Sequence, residues 1–143
     1  MPSEKATVLI VEDDEVDIEL VTRGLKKRNM NFEIQTTTDG DKALSFLRES
    51  LSPEQSSRLI ILLDLNMPRM NGHEFLSELR KDQDLKQTIV FVLTTSSLEA
   101  DRARAYEQNV AGYFVKSNVN GLLDLLGTYA EHVEFPKISP SGK

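Results

Sequence analysis

The sequence predicts an α/β protein built on a five-stranded parallel sheet, and three observations carry that expectation. Apolar runs rich in Val, Ile and Leu recur at Val8-Leu9-Ile10-Val11, at Leu59-Ile60-Ile61-Leu62-Leu63 and at Ile89-Val90-Phe91-Val92-Leu93. Unbroken runs of this kind belong to strands buried on both faces, whereas a half-solvated strand alternates. The intervening segments carry apolar residues at helical spacing, so strands and helices take turns along the chain.

Each element has its own justification. The first run lies within Ala6 to Val11 and stops at Glu12-Asp13-Asp14-Glu15. Val16 to Asn29 then places Ile18, Val21 and Leu25 on one helix face, with Lys26, Lys27 and Arg28 in the last turn, where cations suit the dipole. Gly24 inside that helix costs roughly 1 kcal/mol in propensity. Phe32 to Thr36 alternates and is assigned to a sheet edge. Asp39-Gly40 turns the chain into a helix with Ala43, Leu44 and Leu47, and the polar stretch from Ser50 to Arg58, interrupted by Pro53, is expected to be a loop. The central run ends in Asp64-Leu65-Asn66-Met67-Pro68. Asn71 and Glu74 form an N-cap pair for a helix through Phe75, Leu76 and Leu79. The run from Ile89 to Leu93 ends at Thr94-Thr95-Ser96-Ser97, and an Ala-rich helix spans Leu98 to Asn109. Gly112 precedes the short strand Tyr113-Phe114-Val115, which ends at Lys116, and Asn118 to about Val133 is the last helix. Right-handed crossovers make this a doubly wound, flavodoxin-like sheet of order 2-1-3-4-5 with five helices. Residues 1–133 form the domain, and 134–143 is a C-terminal tail.

Composition narrows the class. The 143 residues suffice for one core and not for two. Seventeen basic against twenty-three acidic side chains leave a net charge of −6, which disfavours nucleic acid and anionic membranes as partners. No run approaches the roughly 18 apolar residues of a membrane span. Met1-Pro2-Ser3-Glu4-Lys5 leads into no apolar export-signal core. The absence of cysteine excludes disulfides and thiolate metal sites, so a cytoplasmic setting is expected.

The chemistry gathers at the strand ends. Four buried strands each finish on a functional group: Glu12 and Asp13 after the first, Asp64 after the third, Thr94 after the fourth and Lys116 after the fifth. In a parallel sheet these ends share one edge, where ligands bind at the switch point between the first and third strands. Singly, the acids could serve the helix dipole, Asp64 a turn, Thr94 a strand cap, and Lys116 solvent. Together they converge three carboxylates, a hydroxyl and an ammonium. Carboxylates so close repel, and a hard divalent cation such as Mg²⁺ relieves that repulsion with oxygen ligands. One Asp then becomes available as a nucleophile toward phosphorus, with Lys116 and Thr94 sharing the neutralisation of phosphoryl oxygens. His73 and His132 lack metal-ligand spacing and are assigned to structure or surface.

Val-Glu-Asp-Asp at 11–14, Leu-Asp-Leu-Asn-Met-Pro at 63–68 with Gly72 following, Thr94 and Lys116 resemble, in order and spacing, the response-regulator receiver domains of bacterial two-component signalling. The likeness runs from Thr7 to about Val133. It implies that Asp64 accepts a phosphoryl group from a partner histidine kinase, so the chain is a phosphoacceptor that takes part in its own phosphorylation and dephosphorylation rather than an enzyme. It implies Mg²⁺, with Mn²⁺ or Ca²⁺ as substitutes, on Glu12, Asp13, Asp64 and the backbone carbonyl of Asn66. Thr94, with Thr95 beside it, and Lys116 would bind the phosphoryl group, and Tyr113 would change rotamer with Thr94. Two positions depart from the usual pattern: Glu12 stands for the commoner Asp, and Ser117 for a Pro whose bond is usually cis. Val-Leu-Thr-Thr-Ser-Ser at 92–97, the Lys-Ser pair, the longer 50–58 stretch and the C-terminal extension are similar to single-domain regulators of bacterial phytochromes, which would make the donor a light-regulated kinase.

With no further domain expected after the tail, the output is expected to be a protein–protein contact. The last helix carries Leu125 and Tyr129 beyond its core stripe. A homodimer through the face formed by the fourth helix, fifth strand and fifth helix is expected, with Leu122, Leu125 and Tyr129 at the interface and Phe135 as an arm; alternatively, Leu125 and Tyr129 only cover the tail. A pseudo-receiver that binds without phosphorylation is the alternative function. A dehalogenase-type phosphatase is disfavoured, because Asp-x-Asp after the first strand and a cap insertion are both missing.

Overall fold

All the apolar runs are strands, and every residue of β1 (Ala6–Val11) and β3 (Leu59–Leu63) is buried. The computed structural model describes residues 5–28 and 31–138. In chain order the remaining elements are α1 (Glu15–Lys27), β2 (Phe32–Thr37), α2 (Gly40–Ser45), α3 (Pro53–Ser57), α4 (Gly72–Lys81), β4 (Ile89–Thr94), α5 (Glu99–Glu107), β5 (Gly112–Val115) and α6 (Val119–His132). The sheet is parallel throughout with order β2-β1-β3-β4-β5, as expected, and β2 lies at an edge with most of its residues only half-buried.

Alternate residues of the central strands face opposite layers. Leu9, Val11, Ile61, Leu63, Val90 and Val92 pack with Ala43, Leu44 and Leu47 of the α2 segment, Phe75, Leu76 and Leu79 of α4, and Ala105 of α5. Val8, Ile10, Ile60, Leu62, Phe91 and Leu93 pack with Val21 and Leu25 of α1 and Leu122, Leu123 and Leu126 of α6. Gly24 earns its place here: a Cβ on it would collide with the Leu123 side chain, so the glycine lets α1 and α6 approach closely.

Four expectations need correction. Among the described residues there are six α-helices rather than five, because Pro53–Ser57, expected to lie in a loop, forms a helical turn. Ser52 and Gln55 close a capping box around it with Pro53 at its start, a local signal strong enough to offset its lack of an apolar stripe. The α2 helix also runs on as a π-helical turn over Phe46–Ser50, so little of that stretch is a loop. Leu122 is fully buried between α6 and the sheet and so belongs to the core, not to an exposed interface. The tail is no free arm as far as Ile138. The Arg58 guanidinium lies 4.8 Å over the Phe135 ring, and Ile138 is buried in the core; residues 139–143 lie outside the described residues, as does Asn29 at the expected end of α1. Tyr129 packs edge-on against Phe91 with centroids 5.1 Å apart, which leaves Leu125 as the exposed apolar residue of the expected interface. No peptide bond among the described residues is cis, Lys116–Ser117 included.

Candidate functional site

Register brings the strand ends together. Val11 pairs with Leu63, Leu63 with Val92, and Thr94 with Val115, so the residues that follow emerge side by side. The Asp64 backbone N–H donates to Val11 O at 3.0 Å, which sets Asp64 beside Glu12. On the other side, Gly72 opens α4 directly over this strand end. A Cβ there would stand 2.5 Å from the Asp64 carbonyl oxygen and 2.6 Å from Leu65 Cα, so only glycine allows the helix to start so close.

The β3–α4 loop is clamped as well. Arg69 adopts φ 62, a left-handed conformation that costs a non-glycine residue of order 1 kcal/mol. Its guanidinium donates twice to Asp39 Oδ2, at 2.9 and 3.1 Å, while Asp39 Oδ1 caps α2 through the Lys42 N–H at 2.9 Å. Burial alone would push the Asp39 carboxyl up, but these donors outweigh it and hold the group below the usual carboxylate range.

Within the crevice, Glu12, Asp13 and Asp64 can each offer one oxygen within 4.8 Å of the others. Glu12 and Asp64 are 5% exposed and Asp13 is exposed, so the cluster has a dry wall and an open mouth. Lys116 Nζ lies 2.8 Å from Glu12 Oε1, 3.8 Å from Asp64 Oδ2 and 2.6 Å from Asp17 Oδ2. Asp64 Oδ1 is buried with no hydrogen-bond partner.

The electrostatics follow from that arrangement. Burial pushes the Glu12 carboxyl up to about 7 despite the hydrogen bond from Lys116, and the Asp64 charge adds to the rise. Asp64 is likewise raised by burial, which the Lys116 charge, the Thr94 hydroxyl and the Asn66 backbone N–H do not offset. Burial would depress Lys116, but hydrogen bonds to Asp17 and Glu12 outweigh it and raise the ammonium above its ordinary value. A carboxylate set made only of hard oxygens, with one orphaned buried oxygen and two acids pushed upward, fits a hard divalent cation.

Thr94 is fully buried at the strand end, and its hydroxyl oxygen accepts the Ser96 N–H at 3.4 Å. Thr95 is exposed beside it. The Tyr113 hydroxyl donates to Ser96 O at 2.9 Å, so Tyr113 holds the loop that carries Thr94. Ser96 Oγ in turn donates to Asp101 Oδ2 at 2.5 Å, and Asp101 Oδ1 meets His73 Nε2 at 3.0 Å. His73 is buried beside Asp101 with its Nδ1 unpartnered, and His132 is exposed.

Two participants were not anticipated. Asp17 lies beyond the acidic run of residues 12–15, inside the first turn of α1, and the Ser96–Asp101–His73 chain joins residues too far apart in sequence to show a pattern. Cavity size would also have misled: a groove of about 550 Å³ between α1 and α6 is lined by Leu20, Arg23, Lys27 and Leu123, away from the acids.

The chain is similar to known proteins. The sequence model described as the response regulator receiver domain matches residues 8–126. Response regulator Rcp1 of Synechocystis sp. is 41% identical over 111 residues, 77% of this chain and 76% of its own length. The crystal structure of the Mn²⁺-bound form of Rcp1 superposes with a TM-score of 0.76 at 36% identity, covering 92% of this chain and 99% of that one. The phosphorylated cyanobacterial phytochrome response regulator RcpA gives 0.73 at 34% identity, covering 89% and 92%.

Proposed function

The chain belongs to the response regulator receiver domain family, and from that membership we propose that Asp64 accepts a phosphoryl group from a partner histidine kinase. The observation that carries this reading is the Asp64 carboxylate itself: buried, raised, with one oxygen unpartnered and Lys116 at 3.8 Å from the other. An Asp64 oxygen bonds to phosphorus as the phosphorus–nitrogen bond of a phosphohistidine breaks. The bonding pair leaves with the imidazole, which takes up a proton. Lys116 and the Thr94 hydroxyl, with Thr95 beside it, meet the charge on the transferred group. Tyr113 holds the Thr94 loop through Ser96 and follows it when it moves.

Glu12, Asp13 and Asp64, with the Asn66 carbonyl, would hold Mg²⁺, which supplies charge neutralisation for the phosphoryl oxygens; Mn²⁺ and Ca²⁺ would substitute. Similarity to RcpA supports a kinase of the phytochrome type. No helix among the described residues is long and apolar enough to cross a membrane. A cytoplasmic setting and a protein target fit this reading, as does a homodimer that uses exposed Leu125.

Intact-mass analysis after incubation with Mg²⁺ and acetyl phosphate tests the proposal. The wild-type chain should gain one phosphoryl group and Asp64→Asn none. A wild-type chain that gains nothing from any small phosphodonor would favour a binding module that never turns over phosphate.

A further inference from the structure

The shortest contact of Lys116 is not to the carboxylates at the strand ends. Its Nζ lies 2.6 Å from Asp17 Oδ2, closer than to Glu12 at 2.8 Å or to Asp64 at 3.8 Å. Asp17 is the third residue of α1, the position whose acidic or amide side chain returns to the cap in α3 and α4, through Gln55 and Glu74. In α1 that return does not occur. The Asp14 backbone N–H is taken instead by Glu12 Oε2 at 3.1 Å, and the Asp17 carboxylate reaches from α1 across to Lys116. Asp17 thus gives up a local helix contact for a long-range one with a half-buried partner.

We propose that Asp17 is a positioning residue that holds Lys116 back from Asp64 and so competes for its ammonium with a phosphoryl group on Asp64. The inference rests on Asp64 being the phosphoacceptor. An ammonium drawn toward α1 leaves Asp64 only weakly paired, which keeps the acidic cluster negative enough to attract a divalent cation. When a phosphoryl group adds charge at Asp64, Nζ is pulled there, and the Asp17 contact is what it must give up. Asp17 therefore competes with the phosphoryl group for one ammonium.

Two affinities measured calorimetrically on the full chain test this: Mg²⁺ alone, and beryllofluoride, a phosphoryl mimic that adds to a carboxylate, at saturating Mg²⁺. In Asp17→Asn, Lys116 closes on Asp64 and Glu12. Mg²⁺ should then bind more weakly and beryllofluoride more tightly, each by roughly three- to tenfold. Opposite signs separate positioning from damage, since a disordered site would weaken both. Glu15→Gln removes the same charge from an exposed neighbour that does not touch Lys116, and both affinities should stay within about twofold. Asp17→Glu, which keeps the charge and the reach, should return both toward wild type. If Asp17→Asn moves both affinities the same way, leaves both within twofold, or is matched by Glu15→Gln, the inference is overturned. A wild-type chain that binds Mg²⁺ but no beryllofluoride would instead overturn the reading of Asp64, and this inference with it.

Discussion

Two charged side chains at opposite ends of the sheet, Arg80 half-buried and Asp64 buried, make a useful contrast. Arg80, on α4 below the starts of β4 and β5, donates to Gln108 O at 2.6 Å, Lys86 O at 2.7 Å, Thr88 O at 2.8 Å and Asn109 O at 3.1 Å. It ties two connecting segments to the end of a helix and leaves little of its hydrogen-bonding capacity unused. Asp64, at the carboxyl end of β3, has an orphaned oxygen, a raised carboxyl and an ammonium kept at 3.8 Å. One end of the sheet uses most of the hydrogen-bonding capacity of its cation, and the other leaves a carboxylate oxygen without a partner. A charge saturated by its own protein holds structure together, whereas one left short can answer to something that arrives.

If the contrast is right, the largest loss of stability on substitution belongs to Arg80. Arg80→Ala should cost about 2 kcal/mol in urea denaturation, because four backbone carbonyls, two of them part-buried, lose their donor at once. Divalent-cation affinity should stay within a factor of two; a large loss of affinity would mean that the two ends are not independent.

Next comes pH dependence in the metal-free protein. Folding raises Glu12 from 4.5 to about 7, so the folded state prefers the protonated carboxyl and binds more protons than the unfolded chain across that window. Stability from this group is therefore present below pH 4.5 and lost as the pH climbs to about 7, a fall of about 3 kcal/mol. Asp39 and Asp101 are both held below their ordinary values, so their contributions are already complete above about pH 4 and do not mask the fall. Asp64, raised by burial, adds a slope of the same sign in wild type and variant alike, and the difference between the two belongs to Glu12. Denaturation of wild type and Glu12→Gln at several pH values isolates the effect. Equal slopes in the two would assign it elsewhere.

Smaller still, Asp64→Asn should stabilise the metal-free protein at pH 8 by about 1 kcal/mol, since it removes an underpaired buried charge. A destabilised variant would mean that Asp64 is satisfied after all. The smallest change is expected at Leu125, 38% exposed. Leu125→Ser should shift stability by less than about 0.5 kcal/mol. Light scattering should show dissociation of any dimer that uses this face.

The readable half of the contrast is the functional one. Glu12, Asp64, Thr94 and Lys116 could be found because each interrupts or ends an unbroken apolar run, and parallel topology sends all such ends to one edge. Arg80 left no comparable trace. It sits among polar residues late in a helix, and its acceptors are backbone carbonyls in segments that composition marks only as polar. Asp17 was hidden for another reason: an acid in the first turn of a helix already has a sufficient explanation in the dipole. The α3 turn was hidden by its length, although Ser52, Pro53 and Gln55 carried the capping signal. Leu122 was misplaced because the breadth of the apolar surface on α6 does not say which residue the sheet covers.

Thermal unfolding with and without Mg²⁺ tests the central claim most directly, that the charges around Asp64 are left for a cation to meet. At a concentration about a hundredfold above the dissociation constant, Mg²⁺ should stabilise the wild-type chain by about 2.7 kcal/mol. Arg80→Ala should show the same increment from a lower baseline, while Asp64→Asn, more stable at the outset, should gain little. An equal increment in Asp64→Asn would contradict the account.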